Sequence, residues 1–418
     1  RTMTRKFSKD IFVTAGFNTV CLGTGRKEFN PKKPRPGISQ YIAEAGKGAV
    51  KQINSAASID ECVVANFMAA RFVRQANLAA FVSLIDDSLE FKPSTRVEGA
   101  CCSGGLGLIA SMKNVLSGLS DVSMTVGVEV QNSVKAIYGA DILAGAGYYE
   151  GTRKEGHAFY FPNIFAQKAK QYFAKHGEEK TRKAMATWYA NAVTNARLCP
   201  EAQENHNTDP DLFSTGMAVP NPKTFLECIN VFDCSKVSDG GSAIIFATRE
   251  GLKKIGKSEK DAVQVAGFGH AVANITKIAS DQTRLETTKK AVEQAFAMAG
   301  VNAGDIGVFE CHDCFTITGL LSLEAAGFCE YGKAPEFVIG GHTKKDGRLP
   351  TNTSGGLVGF GHATGGTGVR QAVDVLRQLT NTAGAYQVAI DSKRPFGLTI
   401  SMGGDDKTVV AYVFKKTT

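Results

Sequence analysis

Three short segments carry the side chains best suited to covalent chemistry. Cys101 lies in Glu98-Gly99-Ala100-Cys101-Cys102-Ser103-Gly104-Gly105, between a short β-like run at Arg96-Val97-Glu98 and a helix-like stretch. A thiol at a helix N-terminus feels the positive end of the dipole, which favours the nucleophilic thiolate. Ser103, Gly104 and Gly105 let backbone and substrate approach closely. His362 lies in Gly361-His362-Ala363-Thr364-Gly365, where the sequence offers no packing reason for an imidazole. The tetrad His312-Asp313-Cys314-Phe315 follows the apolar Val308-Phe309 and adds a second imidazole and a second thiol. Taken singly, each has a plain structural alternative: free cysteines are most often buried small hydrophobes, a lone histidine is most often a satisfied core residue, and the tetrad alone reads as a buried polar turn. Cys311 and Cys314 also spell Cys-x-x-Cys. A structural zinc site needs four ligands, Cys101-Cys102 is adjacent rather than spaced, and no His-x₃₋₅-His occurs, so no metal centre is expected. A phosphate-cradling Gly-x-Gly-x-x-Gly after the first strand and a Walker-type loop are also lacking.

Together the segments resemble the thiolase superfamily, and the His-Asp-Cys-Phe tetrad resembles its sterol-carrier-protein type. The resemblance spans nearly the whole chain. It implies that Cys101, in the family's Cys-x-Ser-Gly pattern, accepts the acyl group while Cys102 points into packing. His362, in a segment similar to Gly-His-Pro, is then expected to take the nucleophile's proton and help hold a thioester oxygen. Ala363 departs from the usual proline. His312 is expected at the oxyanion, and Asp313 at the loop. Most thiolases carry their second, proton-moving cysteine in a C-terminal Cys-x-Gly. Here that stretch is Ser401-Met402-Gly403-Gly404, so the duty falls to Cys314, and Gly403 is left as an N–H donor that forms an oxyanion hole with the Cys101 N–H.

The elements that must position these groups repeat. Ala49-Val50-Lys51-Gln52 opens a helix-like stretch leading to Ile59-Asp60 and Val63-Val64-Ala65; Ala291-Val292-Glu293-Gln294 leads likewise to Asp305-Ile306 and Val308-Phe309. Leu285, Val292, Ala295, Phe296 and Ala299 give the second copy a one-sided stripe. Helical spacing recurs after Cys101 (Leu106, Ile109, Met112, Lys113, Leu116) and after His362 (Val369, Ala372, Val373, Leu376, Leu379). Val122, Met124, Val126, Val128 and Val130 alternate as in a strand, and Gly397–Ser401 with Thr408–Phe414 reads as a hairpin turned at Gly403-Gly404. Strands alternating with helices imply an α/β fold with a sheet covered on both faces; the resemblance implies the thiolase fold, two duplicated βαβαβαββ halves, each with a five-stranded sheet, in five α-β-α-β-α layers. The halves would comprise residues 1–139 with 226–255, and 256–418. Residues 140–225, with long polar helical stretches and the single Trp188, would form an inserted loop domain capping a substrate groove, with Gly151–Gly156 and Glu201–Pro210 as mobile loops.

Composition agrees with an ordinary globular enzyme: 418 residues, 43% hydrophobic, 21% charged, formal net charge +8. No apolar run approaches the ~20 residues needed to span a bilayer, and no charge block or motif points to nucleic acid. Ten cysteines suit a reducing compartment. The basic start Arg1-Thr2-Met3-Thr4-Arg5-Lys6 favours a mitochondrion, with a peroxisome or related organelle as the alternative, and no fused sterol-carrier domain is expected after Phe414. The function that the resemblance implies is coenzyme A-dependent cleavage of 3-ketoacyl-coenzyme A, and the reverse condensation, by a homodimer. Coenzyme A and its thioesters would be substrates and no resident cofactor is expected. A non-enzymatic acyl-coenzyme A-binding protein and an acetyl-coenzyme A-condensing synthase are the alternatives. Coenzyme A contacts and chain-length preference are not legible.

Overall fold

The computed structural model describes residues 5–153, 157–225 and 227–417; Arg1–Thr4, the end of the Gly151–Gly156 segment and Leu226 lie outside them. Nine strands pair in the order β3-β2-β4-β5-β1-β6-β9-β8-β7. They are β1 (Ile11–Asn18), β2 (Glu61–Ala65), β3 (Ser94–Val97), β4 (Val122–Glu129), β5 (Gly240–Thr248), β6 (Ala262–Val272), β7 (Ile306–Glu310), β8 (Phe396–Gly403) and β9 (Thr408–Lys416). β1 and β6 pair antiparallel at the junction, and the order runs outward from it in the same way on both sides. β2 is parallel to β3 and β4, and β7 is parallel to β8.

Alternation along the strands builds three apolar layers. On β5, Ala243, Ile245 and Ala247 face the outer helix Ile38–Val50, while Ile244 and Phe246 face inward. On β9, Val409, Ala411 and Val413 face the outer helices Glu286–Ala299 and Thr316–Ala325, while Val410, Tyr412 and Phe414 face inward. The inner residues of both half-sheets enclose two central helices, Ser103–Ser117 and Thr367–Leu379, giving the expected α-β-α-β-α layers. The mostly polar Glu286–Ala299 helix holds because Ala291, Val292 and Ala295 form its buried stripe.

Four expectations need correction. Ala49 and Val50 close the Ile38–Val50 helix rather than open one, since Lys51 to Asn54 turn towards Ile255. The C-terminal half has four strands, its fifth place being a single bridge between Phe309 and Thr351. Pro350 has no N–H to extend the ladder, and Asn352 turns away with φ +50°. The inserted helices Tyr160–His176 and Glu178–Ala196 are not polar throughout. Phe165, Tyr172, Met185 and Trp188 join the apolar cluster of Leu320 and Leu321 in the C-terminal half. Finally, Glu201–Pro210 is pinned rather than loose: Gln203 and Glu204 N–H groups donate to Phe360 and Gly359 carbonyls at 2.8 and 3.1 Å.

The N-terminal ends of the central helices meet at glycines. A Cβ on Gly104 would lie 2.7 Å from Gly368 N, and one on Gly368 would lie 2.4 Å from Gly105 N. Only glycine permits that approach, and it brings the turns that precede both helices together.

Candidate active site

Cys101 sits on a strained turn between β3 and its central helix. Ala100 has φ +56°, a conformation costly for a residue with a Cβ. Local bonds hold it: Ala100 N–H donates to Glu98, Gly99 N–H donates to Ser103 Oγ at 3.0 Å, and Ser103 Oγ donates to Ala100 O at 2.6 Å. The turn leaves Cys101 partly exposed and sends Cys102 inward, where its Sγ donates to Ser401 O at 3.3 Å.

His362 precedes the other central helix in a loop braced from three sides. Its N–H donates to Ser238 Oγ at 3.0 Å, Gln131 Nε2 donates to its carbonyl at 2.7 Å, and Ser238 Oγ donates to Gln203 Oε1 at 2.6 Å. Farther along, Thr364 Oγ1 and Gly365 N–H donate to Glu129. These bonds restrain the loop although Ala363 stands where the resemblance leads one to expect a proline. The ring is fixed by Thr367: Nδ1 lies 2.6 Å from Thr367 Oγ1, which itself donates to Ala363 O. That chain favours an Nδ1–H tautomer and leaves the Nε2 lone pair free.

The tetrad follows β7. Ligand atoms of Cys101, His312 and His362 all lie within 4.8 Å of one another, and the two imidazoles meet edge to face at 5.1 Å. Cys314 is close enough to act on the Cys101 sulfur electrostatically; its own Sγ contacts Thr318 Oγ1 at 3.6 Å. Asp313 accepts from Trp188 Nε1 at 3.0 Å and from Leu357 N–H at 2.8 Å, tying the inserted helices to the tetrad. Cys311 is buried against Asn352 and stays outside the gathered ligand atoms, as does Cys314, so the Cys-x-x-Cys spacing does not form a ligand pair there. Gly403 packs on the nucleophile turn; a Cβ would lie 2.3 Å from Gly99 O. The Ser401 hydroxyl is buried without a partner among the described residues and points at Gly105 and Gly368.

Electrostatics overturn one expectation. Burial, together with Cys314 and Glu129, raises the Cys101 thiol above its ordinary range despite the helix N-terminus; desolvation outweighs the dipole. Burial pushes Cys314 up to about 12. Burial and the nearby Arg370 cation push His362 down to about 3, and burial, His362 and Arg370 hold His312 well below its usual range. The resting site is a set of neutral thiols and imidazoles. Arg370 is itself fully buried, donating to Asp374 at 2.7 Å and to Glu310 at 3.4 Å. Sequence reasoning assigned no role to Glu129, Gln131, Gln203, Ser238, Thr367 or Arg370. Three of them left a signal: Glu129 is a carboxylate ending an apolar strand, Ser238 lies in a Ser-Asp-Gly run that resembles the Ser-Asp-Gly-Ala segment of thiolases, and Thr367 lies in the glycine run after His362.

Duplicated half-sheets around two central helices, with a thiol and imidazoles at the helices' facing ends, make up the thiolase fold. Residues 267–416 match the family described as "Thiolase C-terminal domain-like". The chain is 33% identical to an acetyl-CoA acetyltransferase of Methanothermobacter thermautotrophicus over 381 residues, 90% of this chain and 94% of that one. It is 26% identical to sterol carrier protein 2 of Gallus gallus over 75% of this chain and 57% of that one. Among solved structures, the Ltp2-ChsH2(DUF35) aldolase shares the fold with a TM-score of 0.77 at 19% identity, covering 97% and 98% of the two chains. The chain belongs to the thiolase superfamily of acyltransferases.

Proposed function

We propose that the protein is a coenzyme A-dependent thiolase that cleaves 3-ketoacyl-coenzyme A to acyl-coenzyme A and acetyl-coenzyme A, and runs the reverse condensation. The observation that carries this reading is the gathering of Cys101, His312 and His362 within 4.8 Å at the joined helix ends. As Cys101 Sγ attacks the keto carbon, His362 Nε2 takes the thiol proton, and the new oxyanion rests on the N–H groups of Cys101 and Gly403. The Cα–Cβ bond then breaks. The acetyl-coenzyme A enolate, its oxygen against His362 and His312, takes a proton from Cys314. The coenzyme A thiol gives its proton to Cys314 as its sulfur attacks the Cys101 thioester; the Cys101–acyl bond breaks, and the departing Cys101 thiolate takes back the proton held on His362, which restores the enzyme.

The test is coenzyme A-dependent loss of acetoacetyl-coenzyme A. Cys101→Ala is expected to abolish acylation, and Cys314→Ala to acylate but fail at carbon–carbon chemistry. Near-normal thiolysis by Cys314→Ala would sink the role given to Cys314. Coenzyme A binding without acylation would move the protein to the non-enzymatic reading.

One observation favours a second reading. Two imidazoles around one thiol suit a condensing synthase, which needs no second cysteine; condensation that persists in Cys314→Ala without thiolysis would select it. A homodimer is also proposed, supported by the free outer edge of β3 and by Phe91 beside it, which is 97% exposed.

A further inference from the structure

Among the described residues, one group of cysteine, histidine and carboxylate side chains gathers its ligand atoms tightly enough to hold a metal ion: Cys101, His312 and His362. A thiolate with two imidazoles is a donor set that suits zinc-like cations and excludes hard ones such as magnesium or calcium. Zinc bonds of about 2.3 Å to sulfur and about 2.0–2.1 Å to nitrogen place ligand atoms roughly 3.4–3.7 Å apart. The three donors, within 4.8 Å of one another, need to close by about 1 Å, which side-chain rotation supplies.

Two independent features support a ligand here. The first is His312, 1% exposed, whose Nδ1 has no hydrogen-bond partner among the described residues. A buried polar atom left unpaired is costly unless something arrives to satisfy it. The second is the outer partner of His362. Thr367 Oγ1 sits 2.6 Å from Nδ1 and passes its own proton to Ala363 O, the arrangement that orients a ligating histidine and presents Nε2. Three protein donors are the number a zinc site that keeps its fourth position for water uses.

We propose that Cys101, His312 and His362 form a three-ligand site for a soft divalent cation of the zinc type, whose binding shuts the acyl-transfer site reversibly. The Cys101 S–H bond breaks as the sulfur–metal bond forms, and its proton goes to solvent. Both imidazoles bind as neutral donors and nothing is oxidised or reduced. Metal and acyl group then compete for one sulfur. The binding claim stands alone; the inhibitory claim rests on Cys101 being the acyl acceptor.

The experiment titrates the reduced, tag-free full chain with Zn²⁺ against a chromophoric chelator, and with Co²⁺ to observe a thiolate charge-transfer band. One equivalent is expected to bind and release one proton. Cys101→Ala is expected to lose the band and His312→Ala to weaken binding by more than the about 10–100-fold that outer partners are worth. Thr367→Val is expected to weaken it within that range, and Cys314→Ala to leave it unchanged. Alkylation of Cys101 is expected to block binding. Circular dichroism separates loss of the site from loss of the fold. A band that survives Cys101→Ala, affinity unchanged in His312→Ala, or binding lost in Cys314→Ala overturns the site. Stoichiometric binding in a protein inactive towards acetoacetyl-coenzyme A upholds the metal site while removing the thiolase reading.

Discussion

Gly368→Ala tests whether the contact between the two central helices sets the catalytic geometry. The added Cβ would lie 2.4 Å from Gly105 N and 2.8 Å from Gly104 C. Carbon contacts settle near 3.5 Å, so the helix ends must part by about 1 Å. Alanine gains under about 1 kcal/mol of helix propensity over glycine. Overpacking costs about 1–3 kcal/mol, so the net effect is destabilising. The larger effect falls on activity. Cys101 and His362 ride on opposite sides of this contact, and a displacement of about 1 Å costs about 100-fold in rate. The assay pairs kcat/KM for acetoacetyl-coenzyme A thiolysis with denaturant unfolding. Gly384→Ala is the control: φ there is +63°, and nothing lies within 4 Å of the new Cβ. It carries backbone strain without touching the helix contact and is expected to lose stability with kcat/KM intact. A Gly368→Ala protein that is destabilised yet within about threefold of wild type in kcat/KM would refute the reasoning.

Alkylation of Cys101 by iodoacetamide in the free enzyme is expected to climb steadily beyond pH 9, because burial raises the thiol; a plateau reached by neutral pH would mean that the helix dipole wins instead. Trp188→Phe removes the N–H that Asp313 accepts, which is expected to cost about 1–3 kcal/mol at pH 8. The cost should shrink at pH 5, since burial raises Asp313 to about 6 and its folded-state carboxyl is then protonated; a pH-independent loss counts against it. His362 is held down to about 3, so as pH falls below 6.5 the unfolded chain takes up a proton that the folded chain refuses. Its contribution to stability falls by about 1.4 kcal/mol per pH unit between roughly pH 6.5 and pH 3. Denaturant unfolding of His362→Gln is expected to show a correspondingly flatter acid limb, and parallel limbs would exclude that assignment.

The features legible in the sequence are those written locally. The nucleophile turn, the tetrad and the glycines of the His362 loop are contiguous runs, and the strands on either side alternate plainly. The bracing of the site was not legible, because its partners are far apart in the chain. Gln131 reaches the His362 carbonyl across 231 positions, and Trp188 reaches Asp313 across 125. The inserted helices misled for a related reason. Lys168 is 1% exposed yet sits among polar neighbours in sequence; in the fold it meets Gln282, 114 positions away, and Asp405, near the other end of the chain. The thiol's titration was misjudged because a helix terminus can be read locally, whereas desolvation depends on every layer packed around it.

That misjudgement bears on how the site would work. A pre-formed thiolate–imidazolium pair is a ground-state interaction, and stabilising it lowers the energy of the resting enzyme as much as that of the transition state. Here Arg370, locked to Asp374 and Glu310 and acting electrostatically on both imidazoles, opposes imidazolium formation, and burial opposes the thiolate. In the proposed mechanism charge separation is deferred until a thioester is in place, when an oxyanion forming against the N–H groups of Cys101 and Gly403 would supply the missing stabilisation. The same neutrality leaves a sulfur and two neutral imidazoles with ligand atoms within 4.8 Å of one another, the donor set a zinc-like cation takes. Acyl transfer and metal capture, as proposed, would draw on one property of the fold: two central helices, joined at glycines, that hold a largely buried thiol without ionising it.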